Sequence, residues 1–285
     1  MDDLRPDACP VSGERDAQRV HSYDAPPPGE VGFLRGPGQP YYREVWQFRS
    51  GRHYVSRHRM QVATDYAGDY ASATYADEAG MMRAFQRIVS LPPEQSDNAG
   101  RIRALRRFAE SYFPSIQDRH VLDVGSGLGV FPYVVKQSGW ACTALDPDSR
   151  AVRHIEKAAG VEGICADFMK VDALGQFDVI TFNKVLEHVV DPVGMLRRAH
   201  KSLKPGGLVY FELPDGEMAA QDSFDREEFF IEHLHVFSFA SAVMLADRAG
   251  FVPLTVERIR EPSTKYTLRA YCAAQGPRGL VGSNS

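Results

Sequence analysis

The spacing of apolar positions changes several times along the 285-residue chain. Over roughly the first 40 residues no period is sustained, and Pro26-Pro-Pro-Gly29 and Gly36-Pro-Gly-Gln-Pro40 predict loops. Aromatic residues then crowd together: Tyr41, Tyr42, Trp46, Phe48, Tyr54, Tyr66, Tyr70 and Tyr75 alternate with Arg and Asp. Such a segment packs onto a neighbouring core or lines a substrate cleft. Between Asn98 and Pro114 the residues Ile102, Leu105, Phe108 and Tyr112 recur at helical spacing. They predict an amphipathic helix, with Arg101, Arg103, Arg106 and Arg107 mostly on its solvated face.

From His120 onward short apolar runs alternate with helical segments, the signature of a mainly parallel sheet covered on both faces. The runs predict strands at about 120–124, 141–146, 162–166, 177–183, 207–213, 251–259 and 264–274, with helices at about 130–138, 148–159, 191–203 and 239–249. Lys204-Pro-Gly-Gly207 reads as a sharp stop after the third of these helices. Only Glu261-Pro-Ser263 separates the last two strands, so they are expected to form an antiparallel hairpin at one edge of a seven-stranded α/β sheet. The expected division is an irregular accessory region over 1–97, a main domain over 98–275 and a disordered tail over 276–285.

Composition narrows the partners. With 44% hydrophobic and 25% charged residues this is an ordinary globular chain, and a net charge of −4 gives no general electrostatic reason to bind nucleic acid. The acidic start Met1-Asp-Asp-Leu-Arg-Pro6 lacks an apolar core, and no apolar run approaches the roughly 18 residues of a membrane span. A cytoplasmic protein without membrane insertion is therefore expected. Cys9, Cys142, Cys165 and Cys272 are scattered and read as reduced thiols.

The first predicted strand, ending Val121-Leu-Asp-Val124, runs into Gly125-Ser-Gly-Leu-Gly129 and then a helix. Glycines suit a tight turn where a ligand meets backbone amides at a helix N-terminus. Asp146 closes the next strand, where a carboxylate accepts both hydroxyls of a ribose. A dinucleotide and a methyl-donor cofactor both satisfy these two features. The dinucleotide fingerprint is G-x-G-x-x-G, whereas this loop is G-x-G-x-G followed by Val130. Asp123, two residues before the first glycine, either braces the loop or favours a cationic ligand such as a sulfonium over a pyrophosphate.

Residues 119–275 resemble a class I, Rossmann-like methyltransferase dependent on S-adenosylmethionine. The resemblance rests on Asp123-Val-Gly-Ser-Gly-Leu-Gly129, Ala144-Leu-Asp-Pro-Asp148, Cys165-Ala-Asp-Phe168, Phe177-Asp-Val-Ile-Thr-Phe-Asn183 and Leu203-Lys-Pro-Gly-Gly-Leu-Val-Tyr210. It implies that Asp123, Gly125, Ser126, Gly127, Gly129, Asp146, Asp167, Phe168 and Asn183 bind the cofactor. In that set Asp167 would accept from the adenine amino group, and Phe168 would offer its amide or ring.

Methyl transfer to a hydroxyl needs alignment, desolvation and a base. Glu187-His-Val-Val-Asp-Pro192 resembles the E-H-V-x-D-P segment of a small-molecule methyltransferase subgroup, which makes His188 a candidate base. Its other reading is that Glu187 and His188 merely hold the loop. His233 and His235 form a second candidate pair, because residues two apart on an extended segment point to one side. Some relatives bearing E-x-x-E-H bind a divalent ion. Lys184 stands at the first acidic position, so no metal is expected there. Cys9-Pro-Val-Ser-Gly13 is reminiscent of a zinc-knuckle lead-in with its second Cys missing, leaving only an irregular set of Cys9, His21, His53 and His58. The expected activity is O-methylation of a small hydroxylated acceptor such as a sugar or specialised metabolite. The alternatives are a cofactor-binding protein of the same fold without catalysis and an NAD-dependent oxidoreductase.

Overall fold

The computed structural model describes residues 4–30, 39–60 and 77–275. The expectations for Tyr66, Tyr70 and Tyr75, for Gly36-Pro-Gly38 and for the tail after 275 lie outside the described residues. Among those described, no helix is long and apolar enough to cross a membrane.

Three strands precede the main sheet: β1 (Ala17–Tyr23), β2 (Arg43–Phe48) and β3 (Tyr54–His58). The loop reading of the first 40 residues is therefore corrected at 17–23. Alternation is weak in β1 because, between its buried ends, Gln18, Arg19 and Ser22 are exposed and Val20 and His21 only partly buried. Two helices follow, α1 (Glu78–Val89), which Asp77 caps by accepting from Gly80 N, and α2 (Asp97–Tyr112), capped by Ser96.

The main sheet then builds as β4 (His120–Val124), α3 (Val130–Gln137), β5 (Ala141–Asp146), α4 (Ser149–Ala158), β6 (Glu162–Cys165), β7 (Phe177–Asn183) and α5 (Pro192–Arg198). It continues through β8 (Leu203–Pro214), α6 (Gly216–Asp222), β9 (His235–Val236), α7 (Phe239–Arg248), β10 (Phe251–Arg260) and β11 (Tyr266–Ala274). Seven strands lie in the order β10-β11-β8-β7-β4-β5-β6, and β9 completes a second sheet, β1-β2-β3-β9. The strands β4 to β8 pair in parallel, while β11 runs antiparallel to both β8 and β10. The expected seven-stranded α/β sheet with an edge hairpin is what forms.

Parallel pairing buries both faces, and β7 accordingly buries every residue from Phe177 to Phe182. Chain order reverses beside β4, with β5 and β6 to one side and β7 and β8 to the other. This reversal puts the switch point, where open α/β sheets bind their ligands, at the carboxyl ends of β4 and β7. The Lys204-Pro-Gly-Gly207 turn departs from expectation: α5 stops at Arg198, and Leu203–Pro214 is one strand with a register shift against Phe177–Val179. Gly206, at φ 73, accommodates that bulge.

Candidate functional site

The switch point is floored by the turn after β4. Gly125 N and Ser126 N donate to Leu145 O at 2.8 and 3.2 Å, Ser126 Oγ donates to Asp123 O at 2.8 Å, and Gly127 N donates to Asp146 Oδ2 at 2.9 Å. Ser126 is thus a brace of the turn. At Gly129 (φ 72) an added Cβ would lie 2.8 Å from Ile155 Cγ1, so its smallness serves packing against α4. At Gly127 (φ 52) a Cβ would meet nothing within 4 Å, which marks open space over the loop. Gly129→Ala should accordingly destabilise the fold by about 2–3 kcal/mol through clash and backbone strain. Gly127→Ala should cost about 1 kcal/mol yet weaken cofactor binding, as urea unfolding and calorimetry would read. Equal losses of stability for the two variants would contradict the assignment of Gly127 to the ligand face.

Asp123 is buried, and its Oδ1 accepts from Thr181 Oγ1 at 2.6 Å and Asn183 Nδ2 at 2.7 Å. Burial pushes its carboxyl up to about 6, against the pull of those hydrogen bonds. It orients Asn183, whose buried Oδ1 has no protein partner and is an available acceptor for a cationic ligand amine. Asp146 receives Asp148 N at 2.9 Å as well as the Gly127 amide, and burial raises its pKa. A carboxylate so held, with further lone pairs to offer, suits ribose hydroxyls. Asp167 is half-exposed, accepts from Met169 N at 2.9 Å and pairs with Lys170 at 3.0 Å. The Phe168 ring is buried edge-on to Phe182, which leaves only its backbone for the contact expected of it.

A second cluster stands beyond Asn183. Lys184 has φ 58, a left-handed backbone uncommon for a residue with a Cβ, and its Nζ donates to Thr267 Oγ1 at 2.7 Å. Glu187 is fully buried and neither carboxylate oxygen has a hydrogen-bond partner; burial pushes its pKa up. The ring of His188 meets that of His233 edge-on at 4.8 Å between centroids. His188 Nδ1 donates to Glu232 O at 2.9 Å and His233 Nδ1 to Glu228 O at 2.8 Å. Burial, with His188 adjacent, holds the His233 imidazole well below its usual pKa and therefore neutral. One potential ligand atom from each of Glu187, His188 and His233 lies within 4.8 Å of the others.

His233 and His235 do not face one cleft. His233 ends a turn in which its amide donates to Phe230 O, whereas His235 opens β9 and presents Nδ1 to His53 Nε2 at 3.3 Å inside the protein. The period-two rule fails because the segment is not extended at both positions. Burial pushes His235 down to about 4, and it is a core group between the two sheets. Cys9, His21, His53 and His58 form no metal-holding group among the described residues; His21 stacks on Phe224 and Cys9 Sγ accepts from Ser12 N. All four cysteines are free thiols. Sequence reasoning placed His188 and His233 but left Glu187 as loop support; an acidic residue beside His188 at the end of a buried strand was the available signal.

A family model described as a methyltransferase domain matches residues 95–256. A curated relative, the ubiquinone biosynthesis O-methyltransferase of Pseudomonas paraeruginosa, is 39% identical over 97 residues, 32% of this chain and 42% of its own length. Its counterpart from Methylobacterium nodulans is 30% identical over 152 residues, 49% of this chain and 57% of its own length. The chain thus spans about half the length of the curated relatives it matches. Among solved structures, magnesium protoporphyrin IX methyltransferase from Synechocystis, with bound S-adenosylhomocysteine, superposes at a TM-score of 0.56. It is 12% identical, and the match covers 73% of this chain and 97% of that one. The Burkholderia thailandensis 1,6-didemethyltoxoflavin-N1-methyltransferase gives 0.53 at 16% identity, covering 80% and 98%. At such identities both bear on the fold.

Proposed function

Starting from a chain that belongs to the methyltransferase domain family, we propose that it moves the methyl group of S-adenosylmethionine onto an oxygen of a small hydroxylated acceptor. The observation that carries this reading is the junction of Asn183 with the cluster of Glu187, His188 and His233, which stands one step beyond the cofactor loop. When bound, S-adenosylmethionine supplies an electrophilic methyl group on a sulfonium. Asp146 and the Gly127 amide hold the nucleoside end, and Asn183, oriented by Asp123, accepts from the amino group. Asp167 and the backbone at Phe168 border the adenine.

A hydroxyl attacks well only as it loses its proton, and a neutral imidazole is a suitable acceptor. The Nδ1 donations to Glu232 O and Glu228 O leave Nε2 as the basic atom of His188 and His233. His188 is the proposed base, oriented by the Glu232 carbonyl oxygen and packed edge-on against the His233 ring. The names of the curated relatives support oxygen as the methylated atom, and the net charge of −4, which gives no general electrostatic pull on nucleic acid, favours a small acceptor.

The test is incubation of the purified protein with labelled S-adenosylmethionine and a panel of phenols, catechols and sugars, with products identified by mass spectrometry. His188→Gln should retain cofactor affinity and lose about 10²–10⁴-fold in kcat. Full turnover in that variant would remove His188 as the base. Methylation of amines alone would overturn the oxygen assignment.

A further inference from the structure

We propose that Lys184 is a second catalytic residue of this site: its ammonium receives the acceptor oxygen as an oxyanion while His188 Nε2 takes the proton. The inference deepens the proposed methyl transfer and rests on His188 as the base. The acceptor O–H bond breaks and its proton passes to His188. The freed oxygen pair forms the bond to the methyl carbon, the C–S pair stays on sulfur, and neutral S-adenosylhomocysteine leaves. Lys184 keeps its three protons throughout.

The ammonium is fixed in place, and its charge is not spent on the protein. The Lys184 amide donates to Glu212 O at 3.2 Å, the backbone holds φ 58, and Nζ donates to Oγ1 of the buried Thr267 at 2.7 Å. A left-handed backbone at a residue with a Cβ costs about 1–3 kcal/mol and persists only where the surroundings impose it. Thr267 takes one of three N–H donors, and among the described residues the ammonium has no other hydrogen-bond partner and no ion pair. Glu212, whose charge acts on it, is already met by Arg101, Arg269 and Tyr210. Two donors therefore remain for a ligand.

Those donors stand beside the base. Asn183, Lys184, His188 and His233 are all half-buried, each with part of its surface open. The charge of Lys184 and that of a protonated His188 act on the same two groups, Glu187 and His233. His188 N donates to Val185 O at 3.0 Å, and this turn keeps the segment from Lys184 to His188 compact.

Charge balance gives the buried carboxylate a reason. Before proton transfer the cluster holds a Lys184 cation, a Glu187 anion, two neutral imidazoles and a neutral hydroxyl. Afterwards an imidazolium and an oxyanion have been added, one of each sign, so the sum is unchanged. Glu187, fully buried with both oxygens unpartnered, counters the two cations, which would otherwise repel each other. A preorganised donor aimed where charge develops stabilises the transition state without reorganising at the moment of reaction.

The probe is 4-nitrophenol, whose phenolate absorbs visible light, mixed with the full-length protein saturated with S-adenosylhomocysteine. Bound to wild type, it should ionise at least about 1 pH unit below its free midpoint, as expected of an anion within a few ångströms of a fixed cation. Lys184→Met should abolish that shift and weaken phenolate binding by at least about 10-fold. Lys184→Arg, which keeps the charge, should preserve part of it. His188→Gln removes the base and leaves the cation, so there the shift should persist. Should Lys184→Met fail to fold, Thr267→Val decides, because freeing the ammonium from its anchor should shrink the shift. The proposal is overturned by no shift in wild type, by an unchanged shift in folded Lys184→Met or, in its place, Thr267→Val, or by a shift lost in His188→Gln and kept in Lys184→Met. Turnover without a shift leaves methyl transfer in place and removes Lys184 from it, whereas a shift without turnover does the reverse.

Discussion

Asp146→Ala should leave no calorimetrically measurable affinity for S-adenosylmethionine or S-adenosylhomocysteine. The carboxylate sits at the end of β5, buried, with one oxygen on the Gly127 amide and the other on the Asp148 amide. Its remaining lone pairs are the ones offered to two ribose hydroxyls, and each charged hydrogen bond is worth about 1.5–3 kcal/mol. Losing both costs about 3–6 kcal/mol, or roughly 10²–10⁴-fold in Kd. The variant also releases the Gly127 amide, so the loop would lose its anchor to β5. Asp146→Asn, which keeps an amide-accepting oxygen, should fall between the two. Affinity unchanged in Asp146→Ala would move the nucleoside away from the carboxyl ends of β4 and β5.

The largest effect on stability is expected at Glu212, deep in β8. Its fully buried carboxylate accepts from Arg101 Nε at 2.8 Å, Arg269 Nε at 3.0 Å and Tyr210 OH at 2.5 Å. Glu212→Leu strands two buried guanidinium groups and should cost about 3–5 kcal/mol, read as a lower urea midpoint at unchanged slope. Those two arginines hold the Glu212 carboxyl down at about 2. A depressed carboxyl contributes stability that is fully present above its unfolded value of 4.5 and is lost as pH falls through the folded value, so the cluster loosens between about 4.5 and 2. Glu261, pushed up to about 7 by burial and by Glu212, has the opposite sign: its contribution is complete below 4.5 and declines as pH rises through 7. The pair should give wild type a stability maximum on the acid side of neutrality. In the Leu variant the fall between 4.5 and 2 should be much reduced, and an unaltered acid limb would remove Glu212 from that role.

The main sheet was legible because parallel strands are buried on both faces and so appear as unbroken apolar runs, as at Phe177–Asn183. The cofactor turn was legible because backbone geometry restricts it to glycine. The accessory sheet was not, since β1 buries only its ends and β2 buries Arg43 and Glu44 beside its apolar residues, so neither alternates cleanly. Arg43 reaches Ser56 Oγ, Phe229 O and Glu30, partners 13 to 186 residues away that no local pattern announces. The helix Glu78–Val89 did carry a signal, Asp77 as cap followed by Met81 and Phe85 at helical spacing. His188 and His233 were recognised singly. Their meeting with the unpartnered Glu187 depends on the turn at 230–233, which placed His235 elsewhere.

The two-residue strand His235–Val236 has a consequence for the order of assembly. It is the outer neighbour of β3, with Tyr54 against Val236 and Val55 against His235, and these partners are some 180 residues apart in the chain. During synthesis from the N-terminus, β1, β2 and β3 emerge early with one margin open, and that margin is covered only once the chain has grown past residue 236. Loop closure over that distance adds a late, non-local step to folding. The strand that closes the margin also carries the loop of His233, so a nascent chain arrested before it would have neither a finished accessory sheet nor a complete imidazole pair.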